Sequence, residues 1–254
     1  VDAIVHQAAM AGAASWERFD LYSSCNITAT QRLLEAIRSS GKHQRFVQIS
    51  TSSVYGVEAV GPEDTPLRPA SPYGITKLAA EQLAHAYGRS FDFPVIALRY
   101  FSIYGPRQRP DMAYHIFIDA LLRDQPITIF GDGEQTRGNT FIADCIDGTV
   151  RALNDGVPGE SYNLGGGVPI SLNDAIAIIE EVVGRPAQRN YRPARLGDQR
   201  HTFADCSKAF QHFGYTAKTH PEAGLRQQVE WQLRLAGELA GATSRGYDAS
   251  EMSI

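Results

Sequence analysis

The apolar positions of this chain follow two periods. Ala3, Ile4 and Val5 form a short run leading straight into His6-Gln7-Ala8-Ala9, so the chain opens inside a strand. Phe46-Val47-Gln48-Ile49 reads as a second, buried strand. Between them, over residues 26–39, Ile27, Leu33, Leu34 and Ile37 recur at helical spacing, and Gly41 supplies a stop. Pro62, Pro66 and Pro69 mark residues 57–70 as a loop without regular structure. Ser71 as N-cap and Pro72 at the first helical position open a helix through about Ser90, and the next strand spans Pro94 to Leu98. Strand–helix–strand–helix–strand order predicts a parallel sheet covered on both faces, an α/β fold.

Beyond Arg99 the elements shorten. A loop from Tyr104 to Asp111 precedes a helix near 113–124 and a strand at Ile127–Phe130. A helix over 144–154, a strand over 161–164, a helix capped by Ser171 with Asp174 in its first turn, and a strand over 188–192 follow. After Ala240 the chain has little to bury and is expected to fray. No internal repeat is present.

Composition narrows the function classes. The chain has 254 residues, 43% of them hydrophobic and 20% charged, which supports one large or two small domains and excludes disordered and fibrous readings. The formal charge is −4, and Arg45, Arg99, Arg137 and Arg195 are scattered, so no nucleic-acid footprint is expected. No apolar run approaches the roughly 20 residues of a membrane span, and no charged, then hydrophobic leader opens the chain, which makes the cytoplasm the expected compartment. Cys25, Cys145 and Cys206 are widely spaced without C-x-x-C, fitting reduced thiols rather than disulfides or a metal site.

Candidate chemistry begins with Tyr73 and Lys77, four apart on the helix opened by Ser71 and so one turn apart on one face. An ammonium beside a phenol favours the phenolate and lets tyrosine act as a base near neutral pH. The same spacing is common on solvated helices. A hydroxyl cluster, Ser50-Thr51-Ser52-Ser53, follows the strand ending at Ile49, at the carboxyl end where parallel sheets bind ligands. An ordinary Ser/Thr turn would show the same composition, but the two signals sit on consecutive elements of one sheet.

Seven motifs in order then resemble one family. They are His6-Gln7-Ala8-Ala9, Asn26 before Thr28-Ala29-Thr30, Ser50-Thr51-Ser52-Ser53-Val54-Tyr55-Gly56, Tyr73-Gly74-Ile75-Thr76-Lys77, Leu98-Arg99-Tyr100-Phe101-Ser102-Ile103-Tyr104-Gly105-Pro106-Arg107, Gly131-Asp132-Gly133-x-Gln135-x-Arg137 and Arg195-x-Gly197-Asp198. Their order is similar to that of the extended short-chain dehydrogenase/reductases, the nucleotide-sugar epimerases and dehydratases. The resemblance implies a partial Rossmann-type doubly wound sheet with a smaller mixed α/β substrate-binding region. Residues 1–105 would be the remainder of the NAD-binding domain, 106–240 mainly the nucleotide-sugar region with segments returning to the first, and 241–254 a tail. The family's glycine-rich phosphate loop has no counterpart: no G-x-x-G-x-x-G or G-x-G-x-x-G occurs, and Gly165-Gly166-Gly167 is followed by Pro169, which lacks an amide for an anion cradle. The expectation is therefore a fragment lacking the family's first strands, poor at binding NAD alone.

The resemblance also implies roles. Tyr73 would take a proton from a sugar hydroxyl, Lys77 would hold the nicotinamide ribose, and Thr51 would bind the sugar oxygen. Ala8, Ala9, Asn26 and Tyr100, with Tyr73 and Lys77, would form the NAD side of the site. Arg137, Arg195 and Asp198 would hold the diphosphate and ribose of the nucleotide. Ser52, Ser53, Ser102 and Arg109 look like the carboxylate-holding set for UDP-glucuronate. Dehydratases and decarboxylases of the family carry an acid after the residue matching Thr51, whereas Ser52 and Ser53 stand here. Epimerisation at C4 of a UDP-sugar is thus expected, UDP-glucuronate before UDP-glucose. A dehydratase, a decarboxylase or a non-catalytic NAD(P)-binding relative are the alternatives. A homodimer formed through the helices of residues 26–39 and 71–90 is the implied assembly.

Overall fold

The computed structural model describes residues 2–11, 15–41, 45–194 and 201–243. In chain order the principal elements are β1 (Ala3–His6), α1 (Ala29–Ser39), β2 (Arg45–Thr51), α2 (Pro72–Phe91), β3 (Val95–Tyr100), α3 (Ala113–Leu122) and β4 (Ile127–Phe130). They continue with α4 (Ile142–Asp155), β5 (Ser161–Leu164), α5 (Leu172–Val183), β6 (Arg189–Arg192), β7 (His201–Ala204), α6 (Ser207–Phe213) and α7 (Pro221–Thr243). They form two compact units. The first comprises Val1–Ile103, Thr136–Pro169 and Leu196–Lys218, the second Tyr104–Gln135, Ile170–Arg195 and Thr219–Ile254.

The first unit is built on the parallel sheet β1-β2-β3-β5. Alternation along its strands sorts side chains between two layers. Val47, Ile49, Ile96, Leu98, Tyr162 and Leu164 turn to one face, where Ala152 of α4 and Ala209 and Phe213 of α6 cover them. Phe46 and Val95 turn to the other, against Leu34 and Ile37 of α1 and Ala84 of α2. The α2 side also receives Ser50, Arg99, Ser161 and Asn163, so the buried centre of that layer is polar. This doubly covered sheet is the α/β architecture expected from the element order.

The second unit packs α3, α5 and α7 together beside β4 and β6, which pair in parallel from Ile127↔Arg189 to Phe130↔Arg192. Ile118, Leu121, Ile127, Ile129, Ile176, Ile179, Leu225 and Val229 are buried there. Helix α5 begins with a complete capping box: Ser171 Oγ accepts from the Asp174 amide, and the Asp174 carboxylate accepts from the Ser171 amide.

Several local expectations need correction. The helix expected over residues 26–39 is α-helical only from Ala29; Ser23–Thr28 form a π-helical turn reached through a short α-helical turn, Phe19–Tyr22. Within the loop of residues 57–70, Val60–Gly61 pair with β7, because both precede Pro62 and keep their amides. The stretch after Ala240, expected to have little to bury, continues as α7 to Thr243. Residues 244–254 lie outside the described residues.

Candidate active site

The site is assembled where β2 ends and α2 begins, inside the first unit. Thr51 is the last residue of β2 and the N-cap of a 3-10 turn, Ser52–Val54: its Oγ1 accepts from the Ser53 amide at 3.2 Å and bonds Ser53 Oγ at 3.3 Å. Helix α2 starts with Ser71 Oγ accepting from the Gly74 amide at 3.1 Å and Pro72 at its first position. Gly74 lets this first turn lie against the Ser52–Val54 turn. A Cβ there would stand 2.7 Å from the Ser53 carbonyl oxygen, closer than a carbon and a carbonyl oxygen pack. The glycine next to Tyr73 thereby sets the tyrosine beside the hydroxyl-bearing end of β2.

Lys77 follows one turn later and is 4% exposed. Its Nζ donates to the Ile49 carbonyl at 2.6 Å. Burial lowers its pKa to about 8, and the Glu81 carboxylate opposes that shift. The ammonium is therefore held close to neutral pH, near a half-buried tyrosine whose ring meets Tyr22 edge-on at 6.4 Å.

Asn26 lies in the π-helical turn, a helix irregularity often found at functional sites. Its Oδ1 accepts from the Met10 amide at 2.7 Å, and its Nδ2 donates to the Met10 carbonyl at 3.3 Å and to Thr76 Oγ1 at 3.0 Å. It thus ties the segment after β1, with exposed Ala8 and Ala9, to the residue preceding Lys77. Tyr100 stands opposite Thr51 in register at the end of β3. Its hydroxyl shares a 2.6 Å hydrogen bond with Thr149, and burial raises its pKa.

The proposed substrate residues fall in different places. Ser52 and Ser53 are half-buried on the turn after Thr51. Ser102, exposed just beyond β3, accepts the Thr140 amide at its carbonyl, 2.9 Å. Arg137, half-buried in the same unit, pairs in register with Thr202 of β7, and its Nη1 donates to the Thr136 carbonyl at 3.0 Å. Arg109 belongs to the second unit, where its exposed guanidinium pairs with Asp111 at 3.0 Å. Arg195 and Asp198 lie outside the described residues.

The motif reading overlooked two contributors. Thr76 receives the Asn26 amide, and Glu81 lies one turn beyond Lys77. The spacing Tyr73, Lys77, Glu81 continues one i,i+4 row and was the available signal for Glu81.

A parallel, doubly wound sheet with a Tyr/Lys pair at its carboxyl edge defines a class, the nucleotide-linked oxidoreductase-type α/β enzymes. More narrowly, the chain belongs to the NAD dependent epimerase/dehydratase family, which matches residues 1–165. It is 45% identical over 238 residues to an uncharacterized UDP-glucose epimerase, YtcB, of Bacillus subtilis (strain 168), covering 91% of this chain and 74% of that protein. It is 40% identical to the UDP-glucuronate 4-epimerase of Thermodesulfobacterium geofontis (strain OPF15), covering 91% and 72%. Among solved structures, the Bacillus cereus UDP-glucuronic acid 4-epimerase with UDP-glucuronic acid and NAD superposes with a TM-score of 0.87 at 44% identity, covering 92% of this chain and 76% of that one.

Proposed function

We propose that this protein epimerises a nucleotide sugar at C4 with NAD as cofactor, UDP-glucuronate being the favoured substrate and UDP-glucose the second. The observation that carries the reading is the Tyr73/Lys77 row held by Gly74 against a turn that offers Thr51, Ser52 and Ser53 but no carboxylate. The relatives named above act on or bind UDP-sugars, in agreement with it. The donor set suits the nicotinamide-ribose end of the cofactor: a lysine ammonium has three donors, one of which goes to Ile49, and a phenol adds a donor and acceptor. NAD, when bound, supplies a reversible acceptor for the hydrogen on C4. Lys77 stabilises the Tyr73 phenolate, Tyr73 takes the proton of the C4 hydroxyl, and Thr51 holds that oxygen. Once the 4-keto sugar has turned over, C4 takes its hydrogen back from the reduced cofactor on the opposite face, while Tyr73 returns the proton to the C4 oxygen. Without an acid at positions 52 and 53, no side chain of that turn removes a C5 proton, so chemistry stops at C4.

The remaining roles belong to the same proposal. Ser52, Ser53, Ser102 and Arg109 bind the sugar carboxylate, for which Arg109 exchanges its exposed Asp111 partner at little cost. Arg137, Arg195 and Asp198 bind the diphosphate and ribose, and Ala8, Ala9, Asn26 and Tyr100 flank the cofactor. The protein works in the cytoplasm as a homodimer formed through the helices of residues 26–39 and 71–90; among the described residues no helix is long and apolar enough to cross a membrane. The test is incubation of the full-length protein with NAD and UDP-glucuronate, followed by NMR of the sugar. The C4 epimer is expected, and Tyr73→Phe should abolish its formation while nucleotide-sugar affinity persists. A dehydrated or decarboxylated product, or full activity in Tyr73→Phe, overturns the assignment.

A further inference from the structure

The α2-facing layer of the sheet buries a charge in a place where apolar side chains would fit. Glu81 is fully buried, and three strands converge on its carboxylate. Ser50 of β2 donates to Oε2 at 2.5 Å, Arg99 of β3 pairs with Oε1 at 2.7 Å, and Ser161 of β5 donates to Oε1 at 3.1 Å. Arg99 is in turn held by the Tyr55 hydroxyl at 2.8 Å and the Glu63 carbonyl at 2.9 Å. Ser50 and Arg99 are register partners, so one carboxylate grips adjacent strands at the same level. A buried ion pair is seldom worth more to stability than apolar side chains of equal volume, and its best-attested use is to fix register.

What this register serves follows from the neighbours. Lys77 binds the carbonyl of Ile49 and Glu81 binds the hydroxyl of Ser50, so successive turns of α2 hold successive residues of β2. The next residue of β2 is Thr51, and the preceding turn of α2 carries Tyr73. We propose that Glu81 is a positioning residue of the active site, whose carboxylate, clamped by Arg99, Ser50 and Ser161, holds Lys77 as an ammonium and locks Tyr73 in register with Thr51. Among the described residues, Tyr22 meets Tyr73 edge-on and two histidines face this row: His6 of β1 near Lys77, and His85, one turn beyond Glu81 and bonded to Ser161 at 2.9 Å. Burial lowers the pKa of both, so they are neutral near pH 7, and Arg89 and Glu160 act on His85 from further out. Glu81 is thus the anion that supports the Lys77 charge, against burial that lowers its pKa to about 8. Removing it leaves Lys77 neutral at lower pH and withdraws a cation one turn from Tyr73. The direct relief of an anion two turns from Tyr73 is the smaller effect.

The inference rests on the proposed Tyr73 chemistry, and its test separates the two. The paired apolar variant Glu81→Leu/Arg99→Met removes both charges, and Glu81→Gln removes one while preserving shape. In the full-length protein the pair is expected to melt near the parent temperature. Its kcat should fall about tenfold or more near neutral pH with KM changed far less, and the acid limb of its kcat profile should move up by about one pH unit. A second readout needs no turnover: the tyrosinate absorbance that disappears in Tyr73→Phe should emerge at higher pH in both variants, without cofactor. Parental kcat and an unshifted absorbance titration in a folded variant overturn the proposal, as does a loss of activity explained wholly by unfolding of Glu81→Gln. If the parent epimerises no UDP-sugar, the functional reading fails, while the absorbance titration still decides the role of Glu81.

Discussion

Replacing Lys77 with methionine should remove activity while leaving the fold as stable as before or more so. Burial is the larger influence on its ammonium and moves the pKa from 10.5 to about 8. Below that value the lysine is charged in the folded and unfolded chain alike, and a displacement of this size corresponds to about 3 kcal/mol of stability forgone. Methionine fills comparable space without charge and recovers that amount. Against this stands the Ile49 carbonyl, which loses a 2.6 Å donor at a cost of roughly 1–3 kcal/mol. The variant should therefore match the parent at pH 7 or exceed it by up to about 2 kcal/mol. The pH dependence has a definite sign. Between about 8 and 10.5 folded Lys77 has released a proton that the unfolded chain still binds, so the parent gains stability as pH rises through this window. The variant has no such gain, and its advantage should shrink by about 2 kcal/mol between pH 7 and pH 9.5. Urea unfolding at both pH values measures the difference, with equal m-values confirming that the same surface unfolds. A variant clearly less stable at pH 7, or a difference independent of pH, would refute the buried ammonium. Retained turnover would refute its role.

Gly74→Ala places a Cβ 2.7 Å from the Ser53 carbonyl oxygen and should cost about 1–3 kcal/mol by thermal unfolding, with turnover reduced as α2 shifts from Thr51; parental values in both would show that the turn relaxes freely. Arg109→Ala should lower kcat/KM for UDP-glucuronate by roughly 1.5–3 kcal/mol of transition-state binding and affect neutral UDP-glucose far less, whereas equal losses would assign Arg109 to the diphosphate or the fold. Ser171→Ala breaks the capping box of α5 and should destabilise the protein by about 1 kcal/mol with no change in kcat of the folded fraction.

Features whose physics is contained within a few residues were legible in the sequence. Ser71 and Pro72 announce the start of α2, Ser171 and Asp174 that of α5, and the spacing of Tyr73 and Lys77 places both on one face whatever surrounds the helix. Short apolar runs located β1, β2 and β3 because a parallel sheet covered on both faces demands them. The π-helical turn at Asn26 was not legible, since its residues also fit an ordinary helix, and the contacts of Asn26 with Met10 and Thr76 span 16 and 50 residues. The discontinuous division of the chain between two units likewise follows from which segments pack together. Glu81 shows the boundary most clearly. In the sequence it is one more acidic residue on a helix; in the fold, strand alternation and register bring to it Ser50, Arg99 and Ser161, which lie 31, 18 and 80 residues away. Local spacing determines which side chains a helix presents, but only the pairing of distant strands decides what they meet, and burial then sets their charge.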